Sequence, residues 1–248
     1  MDCTKAFDTI KHNILFKKLL AAGVPAIFLR ILVFMYREQT ADVRWKSSNS
    51  KEFTIRNGVR QGAVLSPILF CFYMNELFSE MKKSGAGCHI DEYYAGMFGY
   101  ADDLLLLCPS RDGLQKMLEI AEEYANDHRI SFSTNIDPNK SKTKGIIFSK
   151  KEMTVLPVPV NLNSNPLPWV SSGKYLGNKM SGVLDGYQND AREKRAQYIG
   201  KNVDLNQEFC LAQPEVKSRI NQIYNSSFFG SILWNLNREN TRQVINSW

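Results

Sequence analysis

Two adjacent carboxylates lie between apolar stretches in the middle of this chain. Asp102 and Asp103 follow Met97 to Tyr100 and precede the apolar run from Leu104 to Leu107, which predicts two strands joined by a tight turn. Successive strand residues face opposite ways, so both acids can serve one site only beside such a turn. Two unit charges about 4 Å apart repel by roughly 4 kcal/mol at an effective dielectric of about 20. A divalent cation would remove this repulsion, so the pair suggests phosphoryl chemistry; the alternative is a solvated turn.

Helical and strand patterns are mixed over about the first 180 residues. Apolar residues at helical spacing predict helices before Gly23, over residues 27–36, from Ser66 to Lys83 and from about Asp112 to His128. Alternating apolar residues predict a hairpin around residues 47–50 and short strands near residues 131–134, 145–149 and 174–176. Beyond residue 187 two or three helices are expected, one of them starting at Pro214. The fold class is therefore α+β, followed by a helical region.

Bulk composition narrows the class of protein. The 248 residues are 44% hydrophobic, enough for a folded core, and the net charge of +6 permits attraction to phosphate backbones. Five scattered cysteines indicate neither a disulfide framework nor a zinc site. The sequence shows no signal peptide and no apolar stretch near the ~20 residues that span a bilayer. We therefore expect an intracellular protein of the cytoplasm or nucleus, without a membrane partner.

Two further segments supply polar groups that suit nucleotide chemistry. The first, Asp2-Cys3-Thr4-Lys5-Ala6-Phe7-Asp8, offers a third carboxylate where a strand would pass into a helix, because one hairpin alone cannot clamp two cations. The second is the loop at residues 57–67, Asn-Gly-Val-Arg-Gln-Gly-Ala-Val-Leu-Ser-Pro, which leads into a helix N-terminus. Its Arg60 is a cationic fork, Gln61 both donates and accepts hydrogen bonds, and Gly62 permits close backbone approach. Taken singly, each segment also fits a frayed terminus or an ordinary turn.

Together these segments resemble the palm of reverse transcriptases from non-long-terminal-repeat (LINE-type) retrotransposons. The family's typical strings are D-x-S-K-A-F-D, G-V-R-Q-G-x-x-L-S-P and Y-A-D-D, and the three segments here resemble them in the same order. Asp137-Pro138-Asn139-Lys140-Ser141-Lys142 and Gly173-Lys174-Tyr175-Leu176-Gly177 are similar to two further family segments. The resemblance covers residues 1 to about 180 and extends weakly over residues 224–234 and 247–248.

The resemblance implies RNA-directed DNA polymerase activity by a two-magnesium mechanism, with Mn²⁺ as a substitute ion. It assigns Asp2 and Asp102 as the main metal ligands and Asp103 as a supporting one. An RNA template, a DNA primer and deoxynucleoside triphosphates are the implied partners, whereas the oligomeric state stays open. Phe7 matches the residue that excludes a ribose 2′-hydroxyl. The remaining nucleotide or template contacts are Arg60, Gln61, Gly62 and Tyr100.

Two other parts of the site follow from the same resemblance. Lys140 matches the catalytic lysine that protonates leaving pyrophosphate, although Lys142 is not distinguished from it. Lys174, Tyr175, Leu176 and Gly177 match the primer grip. The expected domains are a palm over residues 1–180, with an antiparallel sheet and packed helices, and an incomplete helical thumb over residues 181–248.

The pattern departs from the family where the chain begins. A hydrophobic strand and a fingers subdomain precede the first aspartate in the family, and neither is present, so Asp2 is expected to be weakly held. This departure favours an alternative, a catalytically silent retrotransposon remnant or nucleic-acid-binding palm. A third alternative is an RNA-dependent RNA polymerase or a nucleotide cyclase. Phe7 and the Gln61-Gly62 motif disfavour this alternative.

Overall fold

The computed structural model describes residues 1–135, 137, 140–149, 155–182 and 187–225. It divides into two compact units. The first comprises Met1–Lys144 and Pro157–Pro168, and the second comprises Gly145–Leu156 and Trp169–Trp248. Some predicted segments lie outside the described residues. These are residues 226–234 and 247–248, whose sequence weakly resembles a thumb, and Pro138 and Asn139.

Five helices of the first unit carry its core. They are α1 (Ala6–Thr9), α2 (His12–Ala21), α3 (Ala26–Arg37), α4 (Ser66–Lys83) and α5 (Arg111–His128). The predicted ends of α4 and α5 are confirmed to within a residue. Ser110 caps α5, because its hydroxyl accepts a hydrogen bond from Gly113 N at 3.1 Å. Among the described helices, none is long and apolar enough to cross a membrane.

Strands of the first unit are short and antiparallel. They are β1 (Thr40–Ala41), β2 (Arg44–Trp45), β3 (Ser48–Asn49), β4 (Phe53–Thr54), β5 (His89–Ile90), β6 (Tyr93–Tyr94), β7 (Met97–Tyr100), β8 (Asp103–Leu106), β9 (Asn161–Leu162) and β10 (Asn165–Pro166). The predicted hairpin around residues 47–50 is confirmed, as β2–β3 and β1–β4. The strands predicted near residues 131–134 and 145–149 are not: the structure has isolated bridges there, among them those at Phe132 and Gly145, because neither segment has a continuous ladder.

The second unit combines a hairpin with two helices. These elements are β11 (Ser172–Tyr175), β12 (Asn178–Ser181), α6 (Tyr187–Glu208) and α7 (Pro214–Asn225). Leu176 and Gly177 form the hairpin turn with φ of 48° and 79°, the paired positive angles that match strand twist in a two-residue loop. Pro214 begins α7, as the sequence predicts. The observed helices and antiparallel strands confirm the α+β class.

A buried polar network joins α2, α4 and α5. Tyr73 is fully buried on α4, and its hydroxyl donates to the carbonyl oxygen of His128 at 2.6 Å. Tyr124 of α5 donates in turn to the Tyr73 carbonyl oxygen, and Lys18 of α2 donates to the Tyr124 hydroxyl at 3.0 Å. Burial lowers the pKa of His128 and raises the pKa of Tyr124, so both side chains are neutral at pH 7. These hydrogen bonds hold the C-terminal end of α5 in place. They thereby also fix the point from which residues 130–133 continue.

Candidate active site

The β7–β8 hairpin presents the paired carboxylates. Tyr100 pairs with Asp103, which leaves Ala101 and Asp102 as the turn. Ala101 has φ of 52°, a left-handed conformation that costs a residue with a side chain roughly 1 kcal/mol. Asp102 and Asp103 are both half-buried. The predicted arrangement of two acids at a hairpin tip is therefore confirmed.

Asp2 lies directly across from Asp103. The two residues form an antiparallel bridge, and Cys3 N donates to the carbonyl oxygen of Asp102 at 3.3 Å. Met1 and Leu104 exchange both backbone hydrogen bonds, at 2.6 and 2.9 Å. Asp2 and Asp103 therefore form the next pair along, a non-hydrogen-bonded pair of the ladder. At such a pair the opposed side chains share a face and lie closest.

The other edge of the Asp2 segment is bonded as well. Ser133 N donates to the carbonyl oxygen of Asp2 at 2.9 Å, and Thr4 N donates to that of Ser131 at 2.7 Å. The backbone nitrogen of Asp2 also donates to the hydroxyl of Thr143, at 3.3 Å. The segment thus runs between β8 and residues 131–133 like an inner strand. The expectation that Asp2 is weakly held is wrong, because long-range backbone pairing holds it on both sides.

Negative charge accumulates at this point of the fold. Burial, then the carboxylates of Asp102 and Asp2, raise the pKa of Asp103 above its usual range. Lys142 is the cation nearest Asp2 among the described ion pairs, with its Nζ 3.6 Å from Asp2 Oδ2. Burial also raises the pKa of the adjacent Cys3 thiol to about 12, so this cysteine is a neutral packing residue. A cation would relieve the repulsion felt by Asp103.

The donor chemistry fits a hard divalent cation. Asp2, Asp102 and Asp103 offer only carboxylate oxygens, the ligands that Mg²⁺ and Mn²⁺ prefer. Within the described ranges, however, no three acidic, histidine or cysteine side chains are grouped closely enough to hold a metal ion. The backbone register places the donors on adjacent positions of neighbouring strands.

Phe7 is held against the loop that follows β4. Its ring stacks on Phe70 of α4 with centroids 5.2 Å apart, and its carbonyl oxygen accepts from Val59 N at 2.7 Å. Gly58 N donates to the carbonyl oxygen of Ile10 at 2.8 Å. A Cβ on Gly58 would lie 2.9 Å from the Phe7 carbonyl oxygen, so this close approach requires glycine. The structure thereby brings the Phe7 segment and the glycine-bounded loop together.

The rest of this loop is exposed. Arg60, Gln61 and Gly62 all face solvent, and Gln61 Nε2 reaches Asp8 Oδ1 at 3.5 Å. Gly62 has φ of 84° with open space where a Cβ would lie. Tyr100 is 68% exposed at the end of β7. Each of these side chains is therefore accessible to a ligand from solution.

The two lysines that the sequence does not separate have different neighbours. Lys140 Nζ lies 3.9 Å from Asp137 Oδ2, whereas Lys142 reaches Asp2. Between them Ser141 is buried, and its hydroxyl donates to the carbonyl oxygen of Thr143 at 2.5 Å. Thr143, which sequence reasoning missed, is buried and supports Asp2. A lone threonine in a polar run carries no sequence signal of such a role, because the contact depends on distant backbone.

The residues that resemble a primer grip lie in the second unit. Lys174 and Tyr175 belong to β11, and Leu176 and Gly177 are its turn. Lys174 is exposed and faces Lys179 across the ladder. Their assignment to the primer stays a prediction.

Comparison with known proteins gives a consistent match. The sequence model of the family described as reverse transcriptase (RNA-dependent DNA polymerase) matches residues 1–180. In Drosophila melanogaster, the retrovirus-related Pol polyprotein from type-2 retrotransposable element R2DM is 33% identical over 119 residues, which are 48% of this chain and 11% of that protein. The probable RNA-directed DNA polymerase from transposon X-element is 29% identical over 184 residues, 71% of this chain and 18% of the relative. For the RNA-directed DNA polymerase from mobile element jockey, the identity is 27% over 183 residues, 71% and 19% respectively. The chain spans less than a fifth of the length of these relatives.

Proposed function

Because the chain belongs to the reverse transcriptase (RNA-dependent DNA polymerase) family, we propose that it extends a DNA primer on an RNA template. The similarity to reverse transcriptases of non-LTR retrotransposons that the motifs predict is confirmed. The reaction would transfer a nucleotidyl group from a deoxynucleoside triphosphate to the primer 3′-hydroxyl and release pyrophosphate. The bridge between Asp2 and Asp103, beside Asp102, is the observation that carries this proposal.

The three aspartates have distinct proposed roles. Asp2 and Asp102 are the principal cation ligands, and Asp103, whose pKa is raised by burial and by its neighbours, supports them. Bound Mg²⁺, or Mn²⁺ in its place, would supply the positive charge that acidifies the 3′-hydroxyl and neutralises the triphosphate. The protein itself contributes the fixed pairing register between the Asp2 segment and β8, which positions the aspartates. Such positioning matters, because an error of about 1 Å can cost on the order of a hundredfold in rate.

The surrounding residues would hold the substrates and a proton. Lys142 is favoured over Lys140 as proton donor to pyrophosphate, because Lys142 contacts Asp2 and Lys140 pairs with Asp137. Arg60, Gln61, Gly62 and Tyr100 are proposed nucleotide or template contacts, which their exposure supports. We retain residues 1–180 as a proposed palm, with 181–248 as a proposed thumb-like region that includes α6 and α7.

Primer extension tests this function. The purified chain, given an oligo-dT primer on poly-rA with dTTP and Mg²⁺, should lengthen the primer, and excess chelator should stop it. The competing proposal is a silent remnant that binds nucleic acid, which the lack of a closed three-ligand group among the described side chains favours. Binding of primer–template without extension, in Mg²⁺ and in Mn²⁺, would establish that alternative.

Replacing Phe7 with valine should relax the choice of sugar. The half-buried ring stacks on Phe70 while the Phe7 backbone is bonded to the loop of residues 57–62, and a smaller side chain would leave space for a ribose 2′-hydroxyl. We expect preference for dUTP over UTP, which differ only at the 2′ position, to fall at least tenfold, within the range of about 10- to 200-fold that steric pockets supply. Phe7→Tyr, which retains the flat ring, is the matched control. Equal selectivity in Phe7→Val and the parent chain would refute the role of Phe7.

A further inference from the structure

A cleft lined by two cationic side chains, those of Lys11 and Arg129, adjoins the proposed nucleotide site. Its volume is about 480 Å³, and its lining residues are Asp8, Thr9, Lys11, Asn57 and Arg129. All of them belong to the first unit. Asp8 directly follows Phe7, and Asn57 begins the loop that contains Gln61. None of the nucleotide, metal or primer roles proposed above uses Lys11 or Arg129.

Hydrogen bonds to one buried tyrosine hold the backbone on both sides of the cleft. Lys11 and Asn57 form an antiparallel bridge, and Lys11 N donates to the hydroxyl of Tyr73 at 3.4 Å. The same hydroxyl donates to the carbonyl oxygen of His128, the residue before Arg129, at 2.6 Å. One fully buried tyrosine therefore links the two segments that present the cations. Such preorganisation lowers the entropic cost of binding.

Arg129 has an additional constraint. It is the C-cap residue that directly follows α5, with φ of 57°, and Ile130 N closes the turn on the carbonyl oxygen of Ala125 at 2.9 Å. An arginine is not needed for this left-handed conformation, since asparagine adopts it more readily. The side chain is exposed beside the cleft. Helix termination therefore accounts for the conformation of Arg129 but not for its charge.

The charges of the lining favour an anion. In the described part of the chain, the side chains of Lys11 and Arg129 form no ion pair, and the only acid of the lining, Asp8, already accepts a hydrogen bond from Gln61. The Asn57 amide can add a donor. An exposed cleft of this size accommodates a strand that crosses it more readily than a single enclosed ion. We propose that Lys11 and Arg129 bind backbone phosphates of the nucleic acid, an inference that rests on the proposed polymerase function.

Salt-dependent binding tests the cleft without requiring catalysis. Fluorescence anisotropy would follow three labelled probes of matched sequence, a single-stranded RNA, a single-stranded DNA and the RNA template annealed to a DNA primer, from about 50 to about 200 mM salt. The test variant is Lys11→Gln with Arg129→Asn, because asparagine tolerates the positive φ. The matched control, Arg30→Gln with Lys82→Gln, removes two exposed cations elsewhere in the same unit. Lys11→Arg with Arg129→Lys keeps the charge.

The expected change is loss of about two phosphate contacts. The slope of log K against log salt should become shallower by about 1.4 to 1.8, and affinity should fall about tenfold, whereas the control pair and the charge-preserving pair stay near the parent. A loss confined to the RNA or the DNA probe identifies the strand that occupies the cleft. Circular dichroism melts of all variants verify folding, and recovery in the charge-preserving pair excludes a merely structural effect.

Two results would overturn the inference, and they are distinguishable. If the parent binds all probes with a steep slope and the Lys11/Arg129 variant does the same, the cleft is not a phosphate site while the proposed function stands. If the parent binds none of the probes even at the lowest salt, the nucleic-acid function itself fails and the inference fails with it.

Discussion

Replacing Asp102 with alanine should lower primer extension at least a hundredfold and leave the fold intact. Loss of a ligand that positions a catalytic cation removes several kcal/mol of transition-state stabilisation, and each ~1.36 kcal/mol is a factor of ten. The turn should survive, because Asp102 contributes its backbone carbonyl oxygen to Cys3 and its φ is not in the left-handed region. Alanine also removes a like charge from beside Asp103, so stability should be equal to or above that of the parent.

This combination of lost activity and retained stability separates a ligand from a structural residue. Extension rates on poly-rA, with urea or thermal melts of the same preparations, measure both quantities. Asp127→Ala removes an exposed carboxylate at the end of α5, at a distance from the hairpin in sequence, and should leave extension unchanged. Extension by Asp102→Ala within a few-fold of the parent would show that the hairpin acids are not ligands.

Gly58→Ala should destabilise the first unit by about 3 kcal/mol or more. The positive φ of 87° costs alanine about 1 to 2 kcal/mol, and the new methyl would lie 2.9 Å from the Phe7 carbonyl oxygen and 3.0 Å from Asp8 Cα. The backbone must then shift, and overpacking of this kind typically adds about 1 to 3 kcal/mol. That shift would also strain the hydrogen bonds of Gly58 with Ile10 and of Val59 with Phe7.

Gly62→Ala is the matched control for this effect. Gly62 has nearly the same φ, 84°, but nothing lies within 4 Å of the position that a Cβ would occupy there. Its replacement should cost only the conformational part, about 1 to 2 kcal/mol. Urea titrations followed by circular dichroism compare the two. Equal losses in both variants would mean that the contact between residue 58 and the Phe7 segment contributes nothing beyond backbone strain.

Local sequence patterns predict the elements that depend on neighbours in the chain. The apolar repeat of α5 specifies a helix within one contiguous stretch, and the apolar residues around Ala101-Asp102 specify a hairpin. Both are confirmed, because hydrogen bonds within the segment complete them. The helix predicted from the α3 repeat is confirmed too, yet only Tyr36 of that helix is buried. The spacing of apolar residues identifies which face of a helix is apolar, but it does not identify the element that packs against that face.

The sequence does not predict how separate segments pair. It leads to the expectation that Asp2 is loosely held because little chain precedes it, whereas the fold bonds its segment to Leu104, Ser133 and Thr143. Likewise the sequence leaves Lys140 and Lys142 equivalent, and their ion pairs distinguish them. The contacts of the Asp2 segment join residues that are far apart in the chain, and the position of Lys142 depends on them. No local pattern encodes such register.

The sequence by itself determined the family, the α+β class and the carboxylate hairpin, because motifs and periodic apolar residues are properties of contiguous chain. Only the tertiary structure decided that Asp2 opposes Asp103, that Lys142 is the lysine beside Asp2, and that Lys11 and Arg129 line one cleft. The physical reason is that charge, burial and hydrogen-bond partners at a site are set by distances in space. Those distances become fixed only when backbone pairing brings residues 1–4, 103–106 and 131–133 side by side.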